Sequence, residues 1–374
     1  MSGNADSMRV LIAAPFGRGL DHGGSQRATA MAERLEERGM TIDWRVVEAG
    51  PVTVAVRLRS LLALSPAGVD RYPLHDHGGA APDLAVASHS YLTPQLASLP
   101  DRVTKVIDFH NLEWRHLSDS ALYSKGLQRA YLRAQSALMR RFERRTVASS
   151  DLSLFTSEEE LRWARSVAPD AELMLLPSVL PSAAEQAARA LDERMRGSRE
   201  PKLVYVGTVR FPPHLGALTG FLREAWPEIR QAVPGIRLTI AGDCSEEDRR
   251  ALSAHPGVEA LGFVEDVRPL LERSAAVVMP ISGRAGTSMR ALYCALAGVW
   301  VIGTPAAFRG LAWQMGTTVE NPPEWARAVR EAIESGPQHR ERIVAAREAA
   351  LTLQRDPGPW DDLDRRIRHL NGRS

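Results

Sequence analysis

The sequence predicts an α/β protein made of two consecutive doubly wound units, each a parallel sheet covered by helices on both faces, and three observations predict it. The chain opens on a short apolar run closed by a proline, a glycine-rich stretch and a segment of helical periodicity, which is how a βαβ unit begins. Strand-length apolar runs then alternate with helix-length segments before about residue 180 and again after residue 202, the pattern of sheets buried on both sides. The length, 374 residues at 44% hydrophobic and 25% charged, suffices for two such units and excludes disorder as the main state.

In the first half, the strand expected at 9–15 leads into Gly17, Gly19, Gly23 and Gly24. Ser25 then opens a helix with Ala28, Met31, Ala32 and Leu35 on one face and Gly39 at its end. Further strands are expected at 41–47, 84–87, 103–108 and 152–155, with a long helix over about 125–148 before the last. Residues 181–201 lack β-branched runs and read as a short exposed helix or linker. The second half brings strands at 202–207, 236–241, 258–263, 276–279 and 299–302, with room for a helix in most gaps. The expected division is therefore 8–180, a linker over 181–201, and 202–355. A carboxy-terminal helix over 356–374 is placed to cross back onto the first unit.

Composition narrows the functional classes. The net charge is only +2, with Lys105, Lys125 and Lys202 the only lysines, so the concentrated basic excess that nucleic-acid binding needs is missing. Two cysteines, Cys244 and Cys294, cannot build a disulfide framework or a four-thiolate zinc site, which suits a reducing compartment. No apolar run reaches about 18 residues, and the first seven residues lack the apolar core of a signal peptide. The expectation is a cytoplasmic enzyme.

Two loops could hold an anion. Gly23-Gly24 before a helix offers free backbone N–H groups and the positive end of a helix dipole, although the glycine spacing is not that of a dinucleotide fingerprint or a P-loop, and a flexible turn is the plain alternative. The second loop, Gly283-Arg284-Ala285-Gly286-Thr287-Ser288, follows a strand and precedes a helix that Gly298 stops, with Arg284 and Arg290 able to neutralise a phosphate. Between them lies Asp108-Phe109-His110-Asn111-Leu112-Glu113, where four polar groups crowd a strand end. They bind something there, or Asn111 caps the next helix and the rest are solvated.

With these residues assembled, the chain resembles the retaining GT-B glycosyltransferases, and within them family 4, over about residues 8–311. The resemblance rests on the Gly23-Gly24 loop, His110-Asn111-Leu112-Glu113 and the segment 144–151. In the second half it rests on Tyr205-Val206-Gly207, Trp226-Pro227, Ala241-Gly242-Asp243, the run from Leu261 through Gly262, Phe263, Val264, Glu265 and Asp266 to Val267, and on Pro280, Gly286-Thr287, Ala297-Gly298 and Gly303-Thr304-Pro305. It implies two facing Rossmann-like domains, an amino-terminal acceptor domain and a carboxy-terminal donor domain, with a nucleotide-sugar in the cleft between them. It further implies that Gly23, Gly24, Gly286 and Thr287 face a diphosphate, that Phe263 and Val264 lie near the base, and that His110 contacts the transferred sugar. Asn111 and Glu113 would stand on the acceptor side, and Arg290 would place a cation at the leaving phosphate. The acceptor would be a glycan, a lipid-linked glycan or a small molecule, and neither a metal nor another cofactor is implied.

The sequence also departs from the family pattern. Two glutamates common in the family, near the donor sugar and on the ribose, are here Ala285 and Tyr293, and an expected arginine is Thr208, for which Arg210 or Arg284 could compensate. Loss of the ribose carboxylate removes a charge-assisted hydrogen bond worth about 1.5–3 kcal/mol, which weakens donor binding without removing the electrostatics of the leaving group. An active transferase with altered donor recognition is the expectation. A catalytically inactive GT-B-like module that binds glycans or supports a partner enzyme is the rival.

The remaining motifs read plainly. His75-x-His77 lacks a third ligand and reads as a solvated loop, Asp362-Leu363-Asp364 follows no strand and is assigned no metal, and Ser157 to Glu160 has the spacing of a capping box. Residues 125–145 carry seven basic side chains against Glu143. They form either an ordinary solvated helix face or one that rests on an anionic surface, such as the inner face of the cytoplasmic membrane.

Overall fold

The structure, a computed structural model, describes residues 7–20, 23–74, 80–194, 201–283, 288–311, 315–334 and 336–372. Two parallel sheets organise them. The first runs β2-β1-β3-β4-β5-β6, with β1 (Arg9–Ala14), β2 (Thr41–Val46), β3 (Leu84–Ser88), β4 (Thr104–Phe109), β5 (Leu152–Phe155) and β6 (Leu173–Leu175). The second runs β12-β11-β10-β7-β8-β9, with β7 (Lys202–Val206), β8 (Arg237–Ala241), β9 (Val258–Gly262), β10 (Ala276–Met279), β11 (Val301–Gly303) and β12 (Thr317–Thr318). β3, β5 and β10 are buried along their whole length, as unbroken apolar runs in a doubly covered sheet must be.

Eight helices matter for the site. They are α1 (Gly23–Glu36), α2 (Glu113–Leu122), α3 (Gly126–Ser149), α4 (Glu158–Val167), α5 (Ser182–Arg194), α6 (Pro212–Glu224), α7 (Met289–Leu296) and α8 (Gly358–Asn371). Helix α8 returns to the first sheet, where Trp360, Leu363 and Ile367 pack with Val10, Ile12 and Leu84. Its Asp362 and Asp364 are taken by Arg366 and Arg368 one turn on. None of the described helices is long and apolar enough to cross a membrane.

The structure differs from the sequence expectation in three places. Helix α5 is more than an exposed linker: Ala188 is fully buried with Leu180 in the second unit's core, and Ser182 binds Glu33 of α1 through its N–H and hydroxyl at 2.8 and 2.9 Å. Strands β6 and β12 are additions at sheet edges. Strand β11 starts two residues later than expected because Val299 spends its N–H on Cys294 O at 2.8 Å, closing the α7 terminus over Gly298 at φ 66°.

The strand orders fix where ligands can bind. In each sheet the winding reverses once, between β1 and β3 and between β7 and β10, opening a crevice beyond the carboxyl ends of those strands.

Candidate active site

In the first unit, the β1/β3 crevice is lined by Phe16, Gly24 and His89. A Cβ on Gly24 would come within 3.0 Å of the Phe16 ring and 3.5 Å of His89, so glycine is what lets α1 start this close to both rings. His89 follows β3 with φ 102°, donates its N–H to Asp108 O at 3.0 Å, and lays its ring against His110 with centroids 4.0 Å apart.

Behind His110 stands a buried ion pair. Arg27 lies on the same stripe of α1 as Met31 and Leu35, and there it meets Asp108 through Nη2 at 2.6 Å and Nε at 3.0 Å. Arg27 Nη1 also donates to Leu176 O and Ser178 Oγ. Asp108 Oδ2 lies 2.9 Å from His110 Nε2, with Ser88 Oγ at 3.0 Å from the same nitrogen. Burial opposes the charge on Asp108, yet Arg27 and then His110 outweigh it and hold the carboxyl well below its usual range. Burial pushes His110 down against the pull of Asp108, which favours a neutral ring. With Nε2–H donating to Asp108, the bare acceptor on that ring is Nδ1, which is buried and has no partner among the described residues.

Asn111 does not cap α2. The N-cap is Leu112, without a side-chain hydrogen bond, and the first turn is held by carboxylates from other helices. Glu143 of α3 accepts from the N–H groups of Glu113 and Trp114 at 3.0 and 3.2 Å, and Glu160 of α4 accepts from Leu112 at 3.0 Å. Asn111 Oδ1 is left buried, with no partner among the described residues. Burial, then the neighbouring Glu160, raises Glu113 to about 7. Burial, then Glu113, raises Glu143 to about 8.

In the second unit, the β7/β10 crevice holds Arg290. It sits in the first turn of α7, which Ser288 caps at 3.4 Å, and its Nη1 donates to Val206 O at 2.6 Å. Gly207, at φ 142°, permits this: a Cβ there would fall 1.7 Å from Arg290 Nη1, and one on Gly242 would fall 1.8 Å from Gly207 O. Arg290 forms no ion pair with a described residue. His214 is pressed down to about 4 by burial and then by the Arg290 charge.

The other expected donor residues are spread differently. Arg210 is exposed and paired with Asp243 at 2.6 Å, so its charge is already engaged. Phe263 is 77% exposed beyond edge strand β9, with Val264 half-buried beside it. Tyr293 is half-buried against the second unit's core. Arg284, Ala285, Gly286 and Thr287 lie outside the described residues, as do His75 and His77.

The two crevices face each other. Gly23, at the start of α1, lies against Met289, at the start of α7, with 3.6 Å between its ideal Cβ position and the methionine side chain. His116 of α2 stacks on Phe211 before α6 at 4.3 Å, and Tyr123 donates to Ser282 Oγ at 2.8 Å. Arg309 donates to Gly283 O at 2.5 Å and approaches Glu159 of α4 at 4.0 Å. Sequence reasoning missed Arg27, Ser88, His89, His116, Phe211 and the capping role of Glu143. The one legible signal was Arg27, an arginine on an apolar stripe.

Residues 200–335 match the family model described as glycosyl transferases group 1. No curated protein matches the chain. Among solved structures, a sucrose-phosphate synthase from Thermosynechococcus elongatus aligns with a TM-score of 0.68 at 16% identity, over 98% of this chain and 100% of that one. An α,α-trehalose-phosphate synthase (UDP-forming) from Burkholderia vietnamiensis gives 0.62 at 12%, over 98% and 100%. WaaG, a glycosyltransferase involved in lipopolysaccharide biosynthesis, gives 0.57 at 15%, over 95% and 98%. The fold is GT-B.

Proposed function

We propose that this chain is a glycosyltransferase that moves a sugar from a nucleoside-diphosphate donor to a hydroxyl acceptor with retention of anomeric configuration. The observation that carries the reading is the meeting of Gly23 with Met289, which brings the starts of α1 and α7 and the side chain of Arg290 to one point between the two crevices. A diphosphate leaving group gains negative charge as the glycosidic bond breaks, and a fixed guanidinium with two helix N-termini stabilises that charge in place. The match of residues 200–335 to glycosyl transferases group 1 supports the second unit as the donor side, with Phe263 and Val264 beside the base.

On the first unit, a neutral His110 presents Nδ1 as an acceptor for a hydroxyl of the transferred sugar. Asp108 and Arg27 fix its tautomer from behind. The leaving phosphate takes the proton of the incoming hydroxyl, and Asn111 and Glu113 flank the acceptor. This scheme draws its cation from Arg290 and invokes no metal ion. WaaG acts in lipopolysaccharide biosynthesis, and a glycan or lipid-linked acceptor met in the cytoplasm, at the inner membrane face, suits the basic outer side of α3 in the same way.

The test is a thermal-shift titration with UDP, GDP, ADP and dTDP and their sugars, since a ligand that binds the folded state raises Tm by mass action. One nucleotide should give a clear shift that Arg290→Ala removes, and its sugar should then be transferred in an acceptor screen. No shift with any of the four would overturn the reading and leave a glycan-binding module.

A further inference from the structure

On the flank of α2 turned away from the cleft, helices α2, α3 and α4 enclose a groove of about 580 Å³. Its walls carry Arg133, Arg140, Arg141 and Arg144 from α3, Trp114 from α2 and Trp163 from α4, and none of its lining residues is acidic. Elsewhere on the described surface arginines meet carboxylates, as in Arg18–Glu36, Arg115–Glu159, Arg249–Glu246 and Arg368–Asp364. These four form no ion pair with a described residue. The reason lies in the sequence of α3: its one carboxylate, Glu143, is turned inward to hold the start of α2, so the outer face keeps its charge uncompensated.

A second observation is independent of that charge. Trp163 is nine-tenths buried, and the buried indole Nε1 atoms of Trp163 and Trp114 have no hydrogen-bond partner among the described residues. Trp114 and Trp163 give the groove an aromatic wall beside the arginines. Arg140 lies over the Trp114 ring at 5.1 Å, which holds one guanidinium in place at the groove wall. Guanidiniums gathered at one groove suit an oxyanion with several acceptor oxygens.

We infer that this groove binds a phosphate-bearing ligand, apart from the cleft and independently of the activity proposed for it. Trp114 forms both part of the groove and the first turn of α2, so a ligand held there sits against the helix that begins at Glu113.

Calorimetric titration with inorganic pyrophosphate, run on Arg290→Ala protein to silence the cleft, should show one binding event. Arg141→Gln with Arg144→Gln, both exposed positions, should weaken it at least about tenfold while the fold is retained by circular dichroism. A parallel arm measures sedimentation with phosphatidylcholine vesicles with and without phosphatidylglycerol. Pyrophosphate binding that the arginine variant loses supports the groove with a soluble phosphorylated compound as its source. Binding only to the anionic vesicles, lost in the same variant, supports it with a lipid headgroup as the source. No binding in either arm, or binding the arginine variant leaves unchanged, overturns the inference. Nucleotide binding in the cleft is read separately and decides the proposed function alone.

Discussion

The His89 ring rests on the His110 ring, with centroids 4.0 Å apart, and the His89 backbone reaches that position only at φ 102° and ψ 144°. A non-glycine residue in this region costs about 1–3 kcal/mol. The strain sits at the carboxyl end of β3, beside the switch point, where the proposed sugar site lies.

The strain predicts an inverted substitution order. Alanine at position 89 removes the ring and keeps the backbone cost, whereas glycine removes both. His89→Gly should therefore unfold at higher denaturant than His89→Ala, by about 1–3 kcal/mol, against the usual ranking. Equal stability, or alanine above glycine, would show that the backbone is unstrained.

The buried pair behind His110 gives a second prediction. Arg27→Met leaves the Asp108 charge buried without its main partner, and breaking such a pair costs about 3–5 kcal/mol. Arg27→Met combined with Asp108→Asn removes the orphaned charge and should recover much of that loss. A double-mutant cycle by urea unfolding reads the coupling directly, and additive losses would contradict the geometry.

How much of this was legible follows from where each partner comes from. Long, strongly patterned segments could be read closely: 152–155 and 276–279 coincide with β5 and β10, and 125–148 lies within a residue of α3. Edge strands β6 and β12, of three and two residues, exist through pairing with a neighbour and carry no period of their own. The strand-end cluster around His110 stood out because polar groups rarely crowd an apolar run. The capping of α2 did not, because its carboxylates come from positions 143 and 160, which no local pattern connects to Leu112 and Glu113. His89 was hidden for a related reason: a positive φ is set by the tertiary structure, and histidine does not announce it.

Glu143 gives a prediction in pH. Its folded pKa of about 8 lies above the ordinary value of 4.5, so between those values the folded state binds more protons than the unfolded one. Stability therefore falls as pH rises through that window. Other groups act mostly elsewhere: lowered His110, His116 and His214 cost stability below about 6.5, lowered Asp108 does so only in acid, and raised Glu113 is already half-titrated at about 7. Between pH 7 and 8, then, Tm should drop more steeply in the wild type than in Glu143→Gln, where only the tail of the Glu113 titration remains. Parallel curves would mean that Glu143 is ionised throughout.

Gly207 and Arg290 give the last prediction, because one occupies the space the other requires. A methyl group at position 207 would fall 1.7 Å from Arg290 Nη1, and the guanidinium at the end of a flexible side chain is the part that can yield. Gly207→Ala should therefore displace Arg290 from Val206 O and reproduce the loss of nucleotide affinity expected of Arg290→Ala, with a stability cost from φ 142° added. The effects on affinity should not sum: Gly207→Ala should change little in a protein that already carries Arg290→Ala, since contacting residues couple. Gly242→Ala meets the Gly207 carbonyl, a backbone atom that cannot swing away, and should lower Tm more than Gly207→Ala does. Nucleotide titrations on the three single variants and the double variant separate these outcomes, and additive affinity losses at 207 and 290 would mean that the glycine serves the loop and not the arginine.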